Sequence, residues 1–255
     1  MASTTNNTVY LITGGNRGLG LGLVKALLAR PDTTVIATVR SKEAAQKLKE
    51  STFEEAAKSS DLRVILLDFT RAIPPDDVRS AVEKEAGADH VDVLILNAGG
   101  AQPMVPALET TAEDLRAAFE VNTIAPLLVF QGLWPLLQKA ASKTPKLIWI
   151  TSSVGSIAEM EPVPGGAYGP SRAAQNWLTK ALHQENGKQG LVAIALHPGW
   201  VQTRAGQFVA DQWGFSNGPP DTVGSSVEGM LKVMDEASKE TAGKFLTHKG
   251  EVLGW

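Results

Sequence analysis

Short apolar, β-prone runs alternate with helical patterns along almost the whole chain. Val9-Tyr10-Leu11-Ile12 ends in a glycine-rich turn, and a helical pattern then runs from Leu19 to Arg30, where Pro31 stops it. Thr34 to Val39 predicts the second strand, and the charged stretch from Ser41 to Lys58 has helical composition. Val64 to Leu67, Val91 to Leu96, Lys146 to Ile150 and Leu191 to Leu196 repeat the apolar theme, and a weaker run, Lys244 to Thr247, closes it. Continuous apolar runs, rather than alternating ones, mark strands buried on both faces. Seven such strands separated by helical segments predict an α/β fold. It is a doubly wound, parallel seven-stranded sheet with helices on both faces, because parallel neighbours need crossover connections.

Two stretches interrupt the pattern. Pro126 and Pro135 fall inside the helical segment from Ala112 to Ala140, which predicts a kink or a break into two pieces. Residues 200–222 are rich in glycine and proline, carry Trp213 and Phe215, and show no clear period. A loop that long inside a compact domain is usually functional, so it is expected to be a substrate lid. No repeat, low-complexity tract or linker divides the chain. One domain is expected over residues 1–255.

Composition removes several functions. The 255 residues are 43% apolar and 20% charged, which excludes disorder and fibrous repeats. The absence of cysteine removes disulfides, thiol catalysis and cysteine-ligated zinc. A net charge of −3 leaves no basic surplus for nucleic acid. No apolar run reaches the ~20 residues of a membrane span, and the polar lead Met-Ala-Ser-Thr-Thr-Asn-Asn has no signal-peptide character. A cytoplasmic protein is expected. His90, His183, His197 and His248 lack metal-ligand spacing, so no metal site is expected. No Gly-x-Ser-x-Gly elbow surrounds Ser152 or Ser153. The acid-rich run from Glu43 to Glu55 fits a solvated helix face.

The chemistry begins at Thr13-Gly14-Gly15-Asn16-Arg17-Gly18-Leu19-Gly20, between the first strand and the first helix. Glycines there permit a tight turn and close approach to a pyrophosphate, and the helix N-terminus offers N–H donors. With Thr-Gly-x-x-x-Gly-x-Gly spacing, the chain resembles the short-chain dehydrogenase/reductase family, which has a Rossmann-type sheet. The other motifs fit that resemblance: Asn97-Ala98-Gly99, Asp68 after the third strand, Asn122, Ser153, Tyr168-Gly169-Pro170-Ser171-Arg172, and Pro198-Gly199 with Val201 and Thr203. It covers essentially the whole chain and is most similar to fungal ketoreductases of the norsolorinic acid ketoreductase type.

The resemblance implies a nicotinamide cofactor held by Gly14, Asn16, Arg17, Gly18, Leu19, Gly20, Arg40, Asp68, Asn97, Tyr168, Arg172, Pro198, Gly199, Val201 and Thr203. It also implies Tyr168 as general acid, Ser153 as the hydroxyl that binds the carbonyl oxygen, and Asn122 as part of a proton relay. Taken singly, each residue has a plainer use. Asn97 could brace a strand end, Asn122 could face water, and between Ser152 and Ser153 only the family position selects Ser153.

At Arg172 the chain departs from the family, which has lysine there. Tyr168 and Arg172 are four apart and share a helix face. Arginine keeps the charge and can hold ribose hydroxyls, but it is larger and cannot release a proton. An altered but working site and a repurposed one both fit. If the arginine only impairs proton supply, Arg172→Lys should raise kcat; a fall would mean that its surroundings accommodate it.

Cofactor choice follows from the segment Val35 to Ser41. It carries no acid for a ribose 2′-hydroxyl and ends in Arg40, which with Arg17 suits a 2′-phosphate; NADPH is expected. Large apolar residues, Met160, Trp200, Phe208, Trp213, Phe215, Val252, Leu253 and Trp255, suit a bulky apolar ligand, although core or interface use fits equally. The expected function is an NADPH-dependent ketoreductase acting on a bulky apolar ketone of the aromatic-polyketide kind. The alternative is an NADP-binding homologue repurposed for a non-redox step such as cyclisation, or for redox sensing. The partner is a small molecule, and the resemblance implies a homodimer or homotetramer formed through Leu115 to Leu137 and Ala173 to Leu182.

Overall fold

The computed structural model describes residues 7–54, 56–101 and 103–255. The signal-peptide expectation rests mostly on residues 1–6, outside the described ones, as does Glu55 of the acidic run.

The strand-forming runs become β1 (Thr8–Ile12), β2 (Thr33–Val39), β3 (Asp61–Leu66), β4 (Val93–Leu96), β5 (Lys146–Ile150), β6 (Val192–His197) and β7 (Phe245–Thr247). They lie in the order β3-β2-β1-β4-β5-β6-β7 and are all parallel. The seven-stranded expectation needs one correction. An eighth strand, β8 (Val252–Leu253), pairs antiparallel with β7. Two residues beyond a turn at Gly250 are too short to carry a periodic signal.

Helices α1 (Gly18–Leu28), α2 (Lys42–Thr52) and α8 (Val223–Asp235) cover one face; α3 (Pro75–Ser80), α4 (Ala112–Phe119), α5 (Ala125–Leu137) and α6 (Tyr168–Asn186) cover the other. Each face has its own core. Leu23, Val24, Leu27 and Met230 pack on Ile12, Val35 and Ile194, while Val129, Phe130, Leu133 and Leu136 pack on Leu11, Leu94 and Leu147.

The segment from Ala112 to Leu137 stays helical throughout, with αR backbone at each junction, so it is widened and not broken. A π-helical turn, Glu120–Ile124, widens the chain between α4 and α5 before either proline is reached. Pro126 follows directly on that turn, and Pro135 lies near the end of α5. The expected loop at 200–222 also contains regular structure, α7 (Arg204–Trp213). Glycine and proline on either side hid its amphipathic period.

Candidate active site

The order of the strands reverses between β1 and β4, and open α/β sheets bind ligands at such a switch point, beyond the strands' carboxyl ends. The glycine turn after β1 meets the Asn97-Ala98-Gly99 turn after β4 there. Gly14 has φ +72°, and a Cβ on it would press on Ala98 at 3.3 Å. At Gly20 a Cβ would fall on the Gly14 carbonyl oxygen and come within 2.7 Å of Asn97 Nδ2. Asn97 ties the two turns together by donating from Nδ2 to the carbonyls of Thr13 (2.9 Å) and Gly14 (3.2 Å). Asn97 is thus the strand-end brace that its residue type allows.

Helices α2, α4, α7 and α8 are N-capped by the hydroxyls of Ser41, Thr111, Thr203 and Thr222. The first turn of α1 has no side-chain cap, since extended Arg17 occupies that position. Its free N–H groups and positive dipole end suit a phosphate. Asn16 and Arg17 are exposed beside it, Leu19 packs against the core, and Arg40 is exposed just past the end of β2.

Asp68 accepts from the N–H (3.1 Å) and hydroxyl (2.9 Å) of Thr70 through one oxygen. Those bonds, helped by the fields of Arg40 and Arg71, hold its carboxyl below the usual range.

The second cluster forms at the ends of β5 and β6 and at the start of α6. Asn122 lies in the π-helical turn, fully buried, and its amide faces the Gly100 backbone. Oδ1 accepts from Gly100 N–H (2.9 Å), and Nδ2 donates to the Gly100 carbonyl (3.1 Å) and to Ser171 Oγ (3.0 Å). Ser171 in turn donates to the Tyr168 carbonyl at 2.7 Å, so Asn122 is fixed to the first turn of α6. Such single-turn widenings of a helix often mark functional sites.

Ser153 opens a short 3-10 turn, Ser153–Gly155, that packs directly on α6: a Cβ on Gly155 would meet Arg172 Cβ at 2.7 Å. The Ser152 hydroxyl accepts from Val154 N–H, whereas the Ser153 hydroxyl makes no hydrogen bond among the described residues. Ser153 is instead held through its backbone, donating N–H to His197 Nδ1 at 3.2 Å. Burial, with His248 adding to it and Asp221 opposing, lowers the His197 pKa to about 4, so the ring remains a neutral acceptor. Nothing in the local pattern signals this contact, which joins residues 44 apart.

The Arg172 guanidinium stands 4.8 Å from the centroid of the Tyr168 ring. Its side chain is buried. Nη1 donates to the Ile150 carbonyl (3.2 Å) and to Gln175 Oε1 (2.6 Å), Nη2 lies against Gly99, and Nε has no partner.

Pro198, Gly199 and buried Val201 continue from β6 towards the glycine turn, and Thr203 Cγ2 would lie 3.4 Å from a Cβ on Gly18. The Thr203 hydroxyl is occupied in capping α7, accepting from Gly206 N–H. The ends of the 200–222 segment are stapled together: Trp200 N–H donates to the Asp221 carboxylate (3.0 Å), Asp221 N–H to the Trp200 carbonyl (3.0 Å), and Gln202 N–H to the Asp221 carbonyl (2.8 Å). Within it, Trp200, Trp213 and Phe215 meet edge to face at centroid distances of 5.2–6.4 Å. Trp213 Nε1 donates to the Pro164 carbonyl at 3.0 Å, reaching the loop that leads into Tyr168.

Among the described residues, no cluster of three or more His, Asp or Glu side chains is placed to hold a metal ion. No described helix is long and apolar enough to cross a membrane.

Comparison with known proteins agrees with this geometry. Residues 8–213 match the family model for short chain dehydrogenases. A short-chain dehydrogenase of Pyricularia oryzae is 40% identical over 98% of this chain and 100% of its own length. A norsolorinic acid ketoreductase of Dothistroma septosporum is 35% identical over 98% of this chain and 94% of its own. Among solved structures, an NADPH-bound carbonyl reductase from chicken fatty liver superposes with a TM-score of 0.82 at 33% identity, covering 98% of this chain and 99% of that one. On sequence, fold and motif order together, the chain belongs to the short-chain dehydrogenase family of oxidoreductases.

Proposed function

We propose that the protein is an NADPH-dependent ketoreductase acting on a bulky apolar ketone of the aromatic-polyketide kind. The observation that carries the proposal is the grouping at the start of α6. Arg172, whose buried Nε has no partner among the described residues, lies against Gly99, beside the Tyr168 ring, and against the 3-10 turn that Ser153 opens. The residues fit the cofactor. Gly14, Gly18 and Gly20 with the uncapped first turn of α1 would hold its pyrophosphate, Arg17 and Arg40 its 2′-phosphate, Asp68 its adenine edge and Arg172 its ribose, through Nε and Nη2. Pro198, Gly199, Val201 and Thr203 would border the nicotinamide. When bound, NADPH supplies the hydride for carbonyl reduction.

The chain's own residues do the rest. Ser153 Oγ donates to the carbonyl oxygen as negative charge develops on it. Tyr168 gives its hydroxyl proton to that oxygen, which completes the alcohol. Arg172 keeps a positive charge beside the tyrosine as it gives up the proton, and Asn122 and Ser171 fix the helix turn that carries both. The lid aromatics offer ring edges and faces to a flat substrate. The names of the ketoreductase and carbonyl reductase relatives support the same reaction class.

The test is a carbonyl panel that includes aromatic polyketide ketones, read by loss of NADPH absorbance. Reduction of the bulky members supports the proposal. Tight NADPH binding with no consumption on any ketone would favour the repurposed scaffold. Self-association through the outer faces of α5 and α6, where Trp177 is 68% exposed, belongs to the same proposal, and light scattering tests it.

A further inference from the structure

We infer that Gln175 is a positioning residue for Arg172, so that the two act as one unit where a single cation would otherwise serve. The inference rests on the reading of Tyr168 as the acid and Arg172 as the ribose-binding cation.

Gln175 lies one helical turn beyond Arg172 on the same face of α6 and is fully buried. A primary amide in such a place must have partners at both ends, or leaving them unmet costs about 1–3 kcal/mol for each group. Both ends are met. Oε1 accepts from Arg172 Nη1 at 2.6 Å, and Nε2 donates to the Ile150 carbonyl at 2.8 Å. That same carbonyl accepts from Arg172 Nη1 at 3.2 Å.

The result is a closed triangle of guanidinium, amide and the last carbonyl of β5. It uses up both protons of Nη1. A guanidinium is planar, so fixing Nη1 fixes the directions of the remaining donors. Nη2 is set against Gly99, where no side chain fits: a Cβ there would stand 2.6 Å from it. Nε is left buried without a partner. The fork therefore presents its spare donors to the turn after β4 and lies at 4.8 Å from the Tyr168 ring centroid.

A lysine at 172 cannot replace this arrangement alone. Its ammonium is shorter, and Gln175 Oε1 would lose its donor in a fully buried place. The exchange Arg172→Lys, expected from sequence to raise kcat, is therefore expected to lower it.

The experiment is a double-mutant cycle with Arg172→Lys, Gln175→Met and both together. It is read by the NADPH dissociation constant from calorimetry and by kcat and KM on a ketone the protein reduces. Each single exchange should raise the dissociation constant about fivefold and lower kcat about tenfold with little change in ketone KM, the size expected for losing one charged hydrogen bond. Because neighbours sharing a bond are not additive, the double variant should be no worse than the poorer single. Gln175→Glu keeps the acceptor for Arg172 but loses the donor to the Ile150 carbonyl, so its kcat should lie between those of the parent and Gln175→Met, about threefold below the parent.

Losses that simply multiply in the double variant would overturn the inference, as would a Gln175→Met protein with unchanged kcat and binding. So would a Gln175→Glu protein whose kcat falls about tenfold or more below the parent, a comparison that still decides if the methionine variant does not fold. The binding readout needs no ketone, so coupling there stands or falls apart from the proposed reaction. Conversely, Tyr168→Phe with unchanged turnover would sink the proposed reaction while leaving the binding cycle interpretable.

Discussion

The two halves of the site are built in opposite ways. Around β1 and β4 the chain removes side chains: Gly14 and Gly20 leave backbone on backbone, and the first turn of α1 stays uncapped. Around β5, β6 and α6 it adds side chains and joins nearly every one to another. Asn122 is bonded to Ser171, Arg172 to Gln175, and Ser153 to His197. The first half works by shape, so damage there is steric and should appear as lost binding or lost fold. The second works by orientation and charge, so damage there should appear in kcat.

The largest test of that division is Tyr168→Phe. Removing the hydroxyl of the proposed general acid should lower kcat by about 10²–10⁴-fold while the NADPH dissociation constant barely moves. Comparable losses in both would mean that the two halves are not separable. On the other side, Gly20→Ala should cost about 3 kcal/mol of stability, the upper end for overpacking, because the new methyl meets the Gly14 carbonyl rather than a side chain that can yield. Denaturant melts check this, and a stable alanine variant with normal NADPH affinity would contradict the steric account.

His197 tests the polar half through pH. Its pKa falls from 6.5 unfolded to about 4 folded, so between those values the unfolded chain binds the extra proton. The stability it supports is complete above pH 6.5 and is lost as pH falls to about 4, a loss of about 3 kcal/mol at 1.4 kcal/mol per pH unit. Melting His197→Asn beside the parent at pH 7 and pH 4.5 should show the parent losing more. A parallel decline would remove His197 from the account. The smallest effect is expected at the exposed rim of the cofactor cradle. Arg40→Asp should weaken NADPH about tenfold more than NADH in paired titrations, since only the former carries a 2′-phosphate. Equal losses would place Arg40 away from it.

The same division explains what could be read from the residues alone. Glycine at a turn and an apolar run of four to six residues are local facts, so the strands, the α1 entry and the motif positions were legible. So was the substitution at Arg172. What escaped depends on residues meeting across the fold. Gln175 looks like an ordinary helix residue until the Ile150 carbonyl is beneath it, and His197 looks idle until Ser153 arrives from another strand. The widened turn at Asn122 escaped because a π turn leaves no mark in composition.

The staple that closes the 200–222 segment carries a consequence for how this scaffold could acquire new specificities. Trp200, Gln202 and Asp221 close the segment with three hydrogen bonds, in which the Asp221 carboxylate is the one side chain, so the closure does not depend on the residues from 204 to 220. The entropy of closing a loop rises only slowly with its length, by about 0.6 kcal/mol for each doubling. The intervening residues can therefore be exchanged as a cassette, longer or shorter, with β6 and the polar cluster left in register. Transplanting the 204–220 segment, which leaves Gln202 and Thr203 in place, from a relative with another substrate should transfer preference for that substrate with little loss of fold stability. Selectivity would then be inherited from a removable part and the chemistry from a fixed one.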